Sequence, residues 1–293
     1  MNKTTPDPLR QNTPEDFLRL VRHRRSVRTF DGRALSPEDA QRILAYAETV
    51  KNPYGLSIRW QMLDAKTARL SSPVIVGEAT YLTGTMDRVP GAEEAFGFSF
   101  ERILLFADSL GIGSTWIAGT MDRAAFERAA GKRPGEVMPC VSPLGYPASA
   151  MSFREKMMRK GVKADSRLDF ETLFFSRSFD APLARKNAGR LEPLLEAVRL
   201  APSAVNKQPW RLLVNDRGVY FYEKKNRGFA GADGWDLQKI DLGIAMCHFS
   251  LGLEACGFSA SFSREDPGLP APAELSFSAG YLWESGKPEE ASR

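Results

Sequence analysis

Two histidines, His23 and His248, are all that the 293 residues contain. That leaves a histidine-rich metal site or a Ser-His-Asp hydrolase little to be built from. Cysteine is also scarce. Cys140, Cys247 and Cys256 are far apart and form no C-x-x-C pair, so they read as reduced, mostly core thiols of a cytoplasmic protein. No apolar run approaches the roughly 20 residues that a bilayer crossing needs. The opening stretch Met1–Arg10 lacks the apolar centre of a secretory signal. Charge of one sign is lacking too: 40 Lys and Arg face 36 Asp and Glu, a net +4. With no basic face interleaved with aromatics, neither nucleic acid nor a membrane is an expected partner. A third glycine after Gly111-Ile112-Gly113 is missing, so a dinucleotide fingerprint is absent.

What is present is patterned. Hydrophobic residues make up 43% of the chain and charged residues 26%, an ordinary globular balance. Residues 1–13 are polar and proline-bearing and are expected to form a loose arm. Thr13-Pro14 and Ser36-Pro37 open two helices with a capping residue and proline in the first turn. Apolar spacing predicts further helices over 98–110, 122–130, 191–200 and 240–256. Strands are expected over 57–63, 74–82, 137–145 and 211–214, and 87–97 is expected to be a mobile polar loop.

Two stretches carry chemistry. Arg24-Arg25-Ser26-Val27-Arg28-Thr29-Phe30 concentrates guanidinium groups, whose planar forks suit phosphate. Read without context, it is equally a solvated helix end. Ala201-Pro202-Ser203-Ala204-Val205-Asn206-Lys207-Gln208-Pro209-Trp210 joins a helix to a strand. Pro202 stops the helix, and the residues before both prolines are pushed extended. Polar side chains and outward backbone groups there suit a flat ring with polar edges; the same composition also makes an ordinary connector.

Taken together, Arg-Arg-Ser-x-Arg-x-Phe and Pro-Ser-Ala-x-Asn-x-Gln-Pro-Trp resemble the nitroreductase family of FMN enzymes. The resemblance implies that Arg24, Arg25, Ser26 and Arg28 surround the flavin phosphate and pyrimidine edge. It implies that Pro202, Ser203, Ala204, Asn206 and Gln208 lie against the ring. The segment Gly111–Gly119 resembles the family's strand and turn at the reactive ring edge. That makes Trp116, Ala118 and Gly119 cofactor-binding, with Thr120 beside them and Arg28, Ala118 and Gly119 near the reactive edge. Small residues make sense there, because a backbone N–H must come within about 3 Å of the ring. Ser166-Arg167-Leu168 best matches the basic pair that closes over the phosphate, which points to Arg167.

The two main motifs stand more than half the chain apart, where the family keeps them close. The order of features also recurs. Phe174–Asp180 echoes Arg25–Asp31, Leu191–Leu200 echoes Gln41–Val50, Pro202…Trp210 echoes Pro53…Trp60, and 240–256 echoes 98–110. The expected fold is therefore α+β: two tandem, degenerate nitroreductase-like halves, 14–168 and 169–293. Each is a mixed, mainly antiparallel sheet packed with helices, and together they form an intramolecular pseudo-dimer. The first half keeps the arginines, and in the second their positions read Leu173-Phe174-Phe175, with Arg177 retained. The expectation is one FMN per chain, served by the first half's arginines and the second half's turn. The chain would be a monomer, with further dimerisation open.

The resemblance implies an oxidoreductase in which NAD(P)H, as NADH or NADPH, reduces FMN. A nitroaromatic or quinone would then reoxidise it, by a ping-pong scheme that needs no catalytic side chain. The cofactor carries that chemistry, and the protein orients it. An FMN-storage or sensor protein with little turnover, and a cofactor-free pseudo-enzyme, are the alternatives.

Overall fold

The computed structural model describes residues 7–9, 13–229 and 235–284. In chain order the described elements are α1 (Pro14–His23), α2 (Pro37–Thr49), β1 (Arg59–Asp64), β2 (Thr80–Asp87), α3 (Ala92–Ser109) and β3 (Gly113–Ser114). There follow α4 (Arg123–Ala129), β4 (Glu136–Val137), β5 (Val141–Gly145), α5 (Phe153–Gly161), α6 (Phe170–Leu173), β6 (Phe174–Ser176) and α7 (Glu192–Leu200). The last are β7 (Trp210–Val214), β8 (Gly218–Lys224), α8 (Leu237–Cys256), β9 (Ala260–Ser263) and β10 (Leu275–Trp283). They group into two compact units, one of His23–Asp165 and one of Met1–Arg22 with Ser166–Arg293.

In the His23–Asp165 unit the sheet runs β1-β2-β5-β3, with β4 on the end of β2, and every pairing is antiparallel. Trp60 of β1 stacks on Phe100 of α3 with centroids 5.7 Å apart, which fixes α3 against one face. Leu63 and Tyr81, cross-strand partners, bury the other face with Phe126 and Met138. Alternation of side chains along a strand lets one sheet serve both layers. Ser36 Oγ accepts the Asp39 N–H at 3.0 Å, so α2 starts at its expected cap.

Two expectations are corrected here. Residues 92–97 are helix, not a mobile loop. Ala92, Ala95 and Phe96 extend the apolar stripe of α3 backwards, and Glu93 and Glu94 suit its first turn. The second strand is β2, not 74–82. Gly77 has φ +77, and a Cβ on it would stand 2.4 Å from the Phe30 carbonyl oxygen, so the chain bends there before pairing begins.

In the other unit the sheet runs β6-β7-β8-β10-β9, with β6 parallel to β7 and the remaining pairs antiparallel. Phe249 of α8 meets Phe221 and Tyr281 at 5.4 and 4.8 Å on one face. Leu213, Tyr220 and Tyr222 pack with Phe175, Phe179 and Phe277 on the other. Helix α1 belongs to this unit, whereas the sequence expectation began the first half with it. A Phe17 ring carbon lies 3.2 Å from where a Cβ on Gly252 of α8 would sit. Most of the expected loose arm, 1–6 and 10–12, lies outside the described residues, and Leu9 within it is buried.

With α4 and β4 set aside, helix, strand, strand, long helix, strand, strand reads α2-β1-β2-α3-β3-β5 in one unit and α7-β7-β8-α8-β9-β10 in the other. The sheet orders β1-β2-β5-β3 and β7-β8-β10-β9 correspond, and so do their antiparallel pairings. Among the described residues no helix is long and apolar enough to cross a membrane.

Candidate functional site

The arginine segment follows directly on the end of α1. Val27 donates its N–H to the Ser114 carbonyl at 2.8 Å, and Ser26 bridges Ser114 in a parallel sense. Thr29 and Phe30 bridge Val76 and Pro147. The segment is therefore held at intervals by isolated bridges and backbone hydrogen bonds. Val27 and Phe30 are buried in the core.

Arg24 is buried. Its Nε lies 3.3 Å from Oε1 of Glu101, a carboxylate that is 0% exposed on α3. Nη1 of Arg24 is buried with no hydrogen-bond partner among the described residues, and so is Nη1 of Arg28. Burial lowers the Arg28 guanidinium from its ordinary value; Glu155 opposes this, while Arg159 and Arg24 add to it. Arginine stays protonated under such displacement. Several like charges are thus held together, partly dehydrated, with donor hydrogens unspent. A buried donor left unmade costs about 1–3 kcal/mol, a cost that an anion accepting those hydrogens would remove. Arg25 points to solvent, without a side-chain partner among the described residues.

Trp116 stands at the far end of β3. Its Nε1 donates to Glu101 Oε2 at 2.9 Å, and its ring meets Phe100 edge-on at 4.8 Å. Glu101 thus joins Arg24 to Trp116. The following turn is held from behind: Arg123 donates to the Ala118 carbonyl at 2.8 Å, and Ser72 Oγ to that of Thr120 at 2.6 Å. Gly119 is exposed, and nothing lies within 4 Å of where its Cβ would stand. Its backbone faces open space that a flat ligand can approach.

In the second unit the proline-bounded turn is present and strained. Val205, Asn206 and Gln208 have φ of 49°, 57° and 50°, left-handed values that non-glycine residues seldom hold. Such strain persists where the surroundings over-determine it, often at functional sites. Asp241 of α8 accepts the Ala204 N–H, and Ser203 Oγ accepts that of Gln208 at 2.9 Å. Gln208 is 2% exposed, its Oε1 accepts the Leu168 N–H at 2.9 Å, and its Nε2 donates to Asn206. Its amide shapes the turn from within. Arg167 likewise donates to the carbonyls of Ser166 and Leu200 and to Asn206 Oδ1. These contacts anchor the turn. Pro202, Ser203, Ala204 and Asn206 are half-buried.

The sequence reading missed Glu101, Glu155 and a carboxyl group behind the turn. Glu155 is buried and accepts from Thr29 Oγ1 at 2.7 Å. Glu223 of β8 lies opposite Trp210 in register. Burial first, and Asp236 next, push its carboxyl up to about 7. Burial likewise holds Asp241 well above the usual carboxylate range. For two of them the signal was an acid set inside an apolar run, Glu101 in 98–110 and Glu223 after Val219–Tyr222.

Comparison with known proteins follows this geometry. Residues 16–253 match the family described as "Putative TM nitroreductase". A "putative nitroreductase" of Thermotoga maritima is similar in structure at TM-score 0.60 and 17% identity, covering 97% of this chain and 99% of that one. An FMN-dependent nitroreductase of Clostridium difficile matches 45% of this chain and 88% of its own, at 17% identity and TM-score 0.40. An iodotyrosine deiodinase bound to FMN and 3-iodo-L-tyrosine matches 46% and 92%, at 15% identity and TM-score 0.39. No curated protein matches the chain by sequence. With the family match running through both units, from α1 to α8, the chain belongs to the nitroreductase family.

Proposed function

We propose that the chain is an FMN-dependent oxidoreductase that uses NAD(P)H to reduce a small acceptor such as a nitroaromatic or quinone. One observation carries this reading. Within five residues, Arg24 and Arg28 each hold a buried guanidinium nitrogen with no partner among the described residues. Family membership gives the anion its identity. Arg24 and Ser26, with Arg25 from the solvent side, are assigned to the phosphate. Arg28 is assigned to the pyrimidine edge, where a fixed cation favours negative charge on the ring. The open backbone at Ala118 and Gly119 suits the reactive edge, and Pro202, Ser203, Ala204 and Asn206 are assigned to ring contacts. FMN, when bound, supplies the hydride-accepting chemistry; the side chains bind and orient it.

The repeated element order supports reading the chain as two tandem halves. The loss of the arginines from the second supports one FMN per chain. Phe174 there is fully buried, and Arg177, the arginine retained, pairs with Asp216 at the surface. The test is direct. Purified chain carries flavin absorbance at one FMN per chain after denaturation, and it oxidises NADH or NADPH in the presence of menadione or nitrofurazone. A colourless chain that takes up no added FMN overturns the reading; two FMN per chain overturns the one-site assignment. Bound FMN without turnover moves the chain to the storage or sensor class.

A further inference from the structure

Resting on the FMN reading, we propose that Glu101 is a positioning residue for cofactor binding. By holding Arg24 at Nε, it turns the Nη1 end of that guanidinium toward the phosphate. The Trp116 indole, donating to the other oxygen, holds the carboxylate in place.

A carboxylate that is 0% exposed, on a helix whose neighbours Phe100, Ile103 and Leu104 are themselves fully buried, is expensive to keep. It persists only when paired and hydrogen-bonded. Both oxygens of Glu101 are used, Oε1 on Arg24 Nε at 3.3 Å and Oε2 on Trp116 Nε1 at 2.9 Å. A guanidinium is planar, so an ion pair at Nε restricts where its two terminal nitrogens point. Nη1 of Arg24 is the end left buried and without a partner among the described residues. The two segments that Glu101 joins are also those stapled together by the Ser26–Ser114 bridge. The carboxylate therefore braces an already paired corner.

Two explanations predict opposite signs. If Glu101 merely neutralised Arg24, removing its charge would leave a stronger cation, and FMN would bind more tightly. If it positions Arg24, removing it frees the guanidinium to rotate, and FMN binds more weakly despite the added positive charge.

The experiment titrates purified, flavin-stripped chain with FMN and with riboflavin, which lacks the phosphate. For Glu101→Gln the expected result is a loss of FMN affinity of roughly 10–100-fold, the scale of one charge-assisted hydrogen bond. Riboflavin affinity stays within a few-fold. Glu101→Asp, which keeps the charge on a shorter stem, loses FMN affinity as well. Unchanged or tighter FMN binding by Glu101→Gln, or equal losses for FMN and riboflavin, overturns the inference. If Glu101→Gln does not fold, Arg24→Gln is compared with Arg24→Gln/Glu101→Gln, which leaves no unpaired charge. Equal FMN affinity in those two supports positioning through Arg24, and a further loss in the double variant overturns it. A wild-type chain that binds neither flavin overturns the functional reading along with this one; binding by wild type with Glu101→Gln unaffected overturns this one alone.

Discussion

Asp241 accepts the backbone N–H of Ala204 with both carboxylate oxygens, at 3.0 and 3.1 Å. A residue in the second turn of α8 thus holds the start of the strained segment Val205–Gln208. The carboxyl is 3% exposed and raised well above its usual range, burial being the main cause. Its hydrogen bond matters more than its charge. Asp241→Ala leaves a half-buried N–H unmade and is expected to cost about 1–3 kcal/mol in urea unfolding. Asp241→Asn keeps an acceptor and is expected to lose less than half of that. Equal losses in the two variants would show that the hydrogen bond is not what matters at this position.

Glu223 gives the unit a pH dependence of defined sign. A free glutamate titrates near about 4.3, whereas burial and Asp236 push this one up to about 7, with Lys225 and Lys239 opposing. The folded chain therefore holds a proton that the unfolded chain releases, so stability falls as pH rises between those values. Glu223→Gln removes the titrating group. The expected result is a difference, wild type minus Glu223→Gln, that declines from pH 5 to pH 7.5 in denaturant melts. Parallel curves would contradict it.

Arg25 separates binding from folding. Its side chain is exposed and without a partner among the described residues. Arg25→Ala is therefore expected to leave the melting temperature within a degree or so of wild type, since surface changes are typically within about 0.5 kcal/mol. FMN affinity is expected to fall by roughly 1–3 kcal/mol, the scale of one hydrogen bond to a charged group. Unchanged affinity by fluorescence titration would move the phosphate away from Arg25.

How much of this was legible in the sequence depends on range. The cap at Ser36 was, because a capping side chain reaches only a few residues along the chain. The start of α3 was not: Glu93, Glu94 and glycines beside it looked like loop, and burial of Ala92 and Phe96 decided otherwise. Glu101 as partner of Arg24 and Trp116 was out of reach. Nothing local says which cation a buried acid will meet. Gln208 was read as ligand-facing from its residue type. Its inward turn follows from a left-handed backbone at three non-glycine positions, which sequence pattern does not reveal.

Gly119 supplies the sharpest separation of cofactor from fold. Its Cβ position is empty to 4 Å and its φ lies outside the left-handed region. In the flavin-free chain Gly119→Ala is therefore expected to be neutral or to stabilise by about 0.4–1 kcal/mol, through reduced freedom of the unfolded chain. With FMN the sign reverses. If the backbone here approaches the ring, the added methyl intrudes on a close contact, and affinity is expected to fall by about 1–3 kcal/mol. Gly77→Ala is the control of opposite kind. Its φ is +77, and the new Cβ would stand 2.4 Å from the Phe30 carbonyl oxygen, so the flavin-free chain itself is expected to lose more than about 1 kcal/mol. Thermal melts and FMN titrations on both variants check the pair. A Gly119→Ala chain that binds FMN as tightly as wild type would remove this turn from the cofactor's surroundings, whatever the outcome at the arginines.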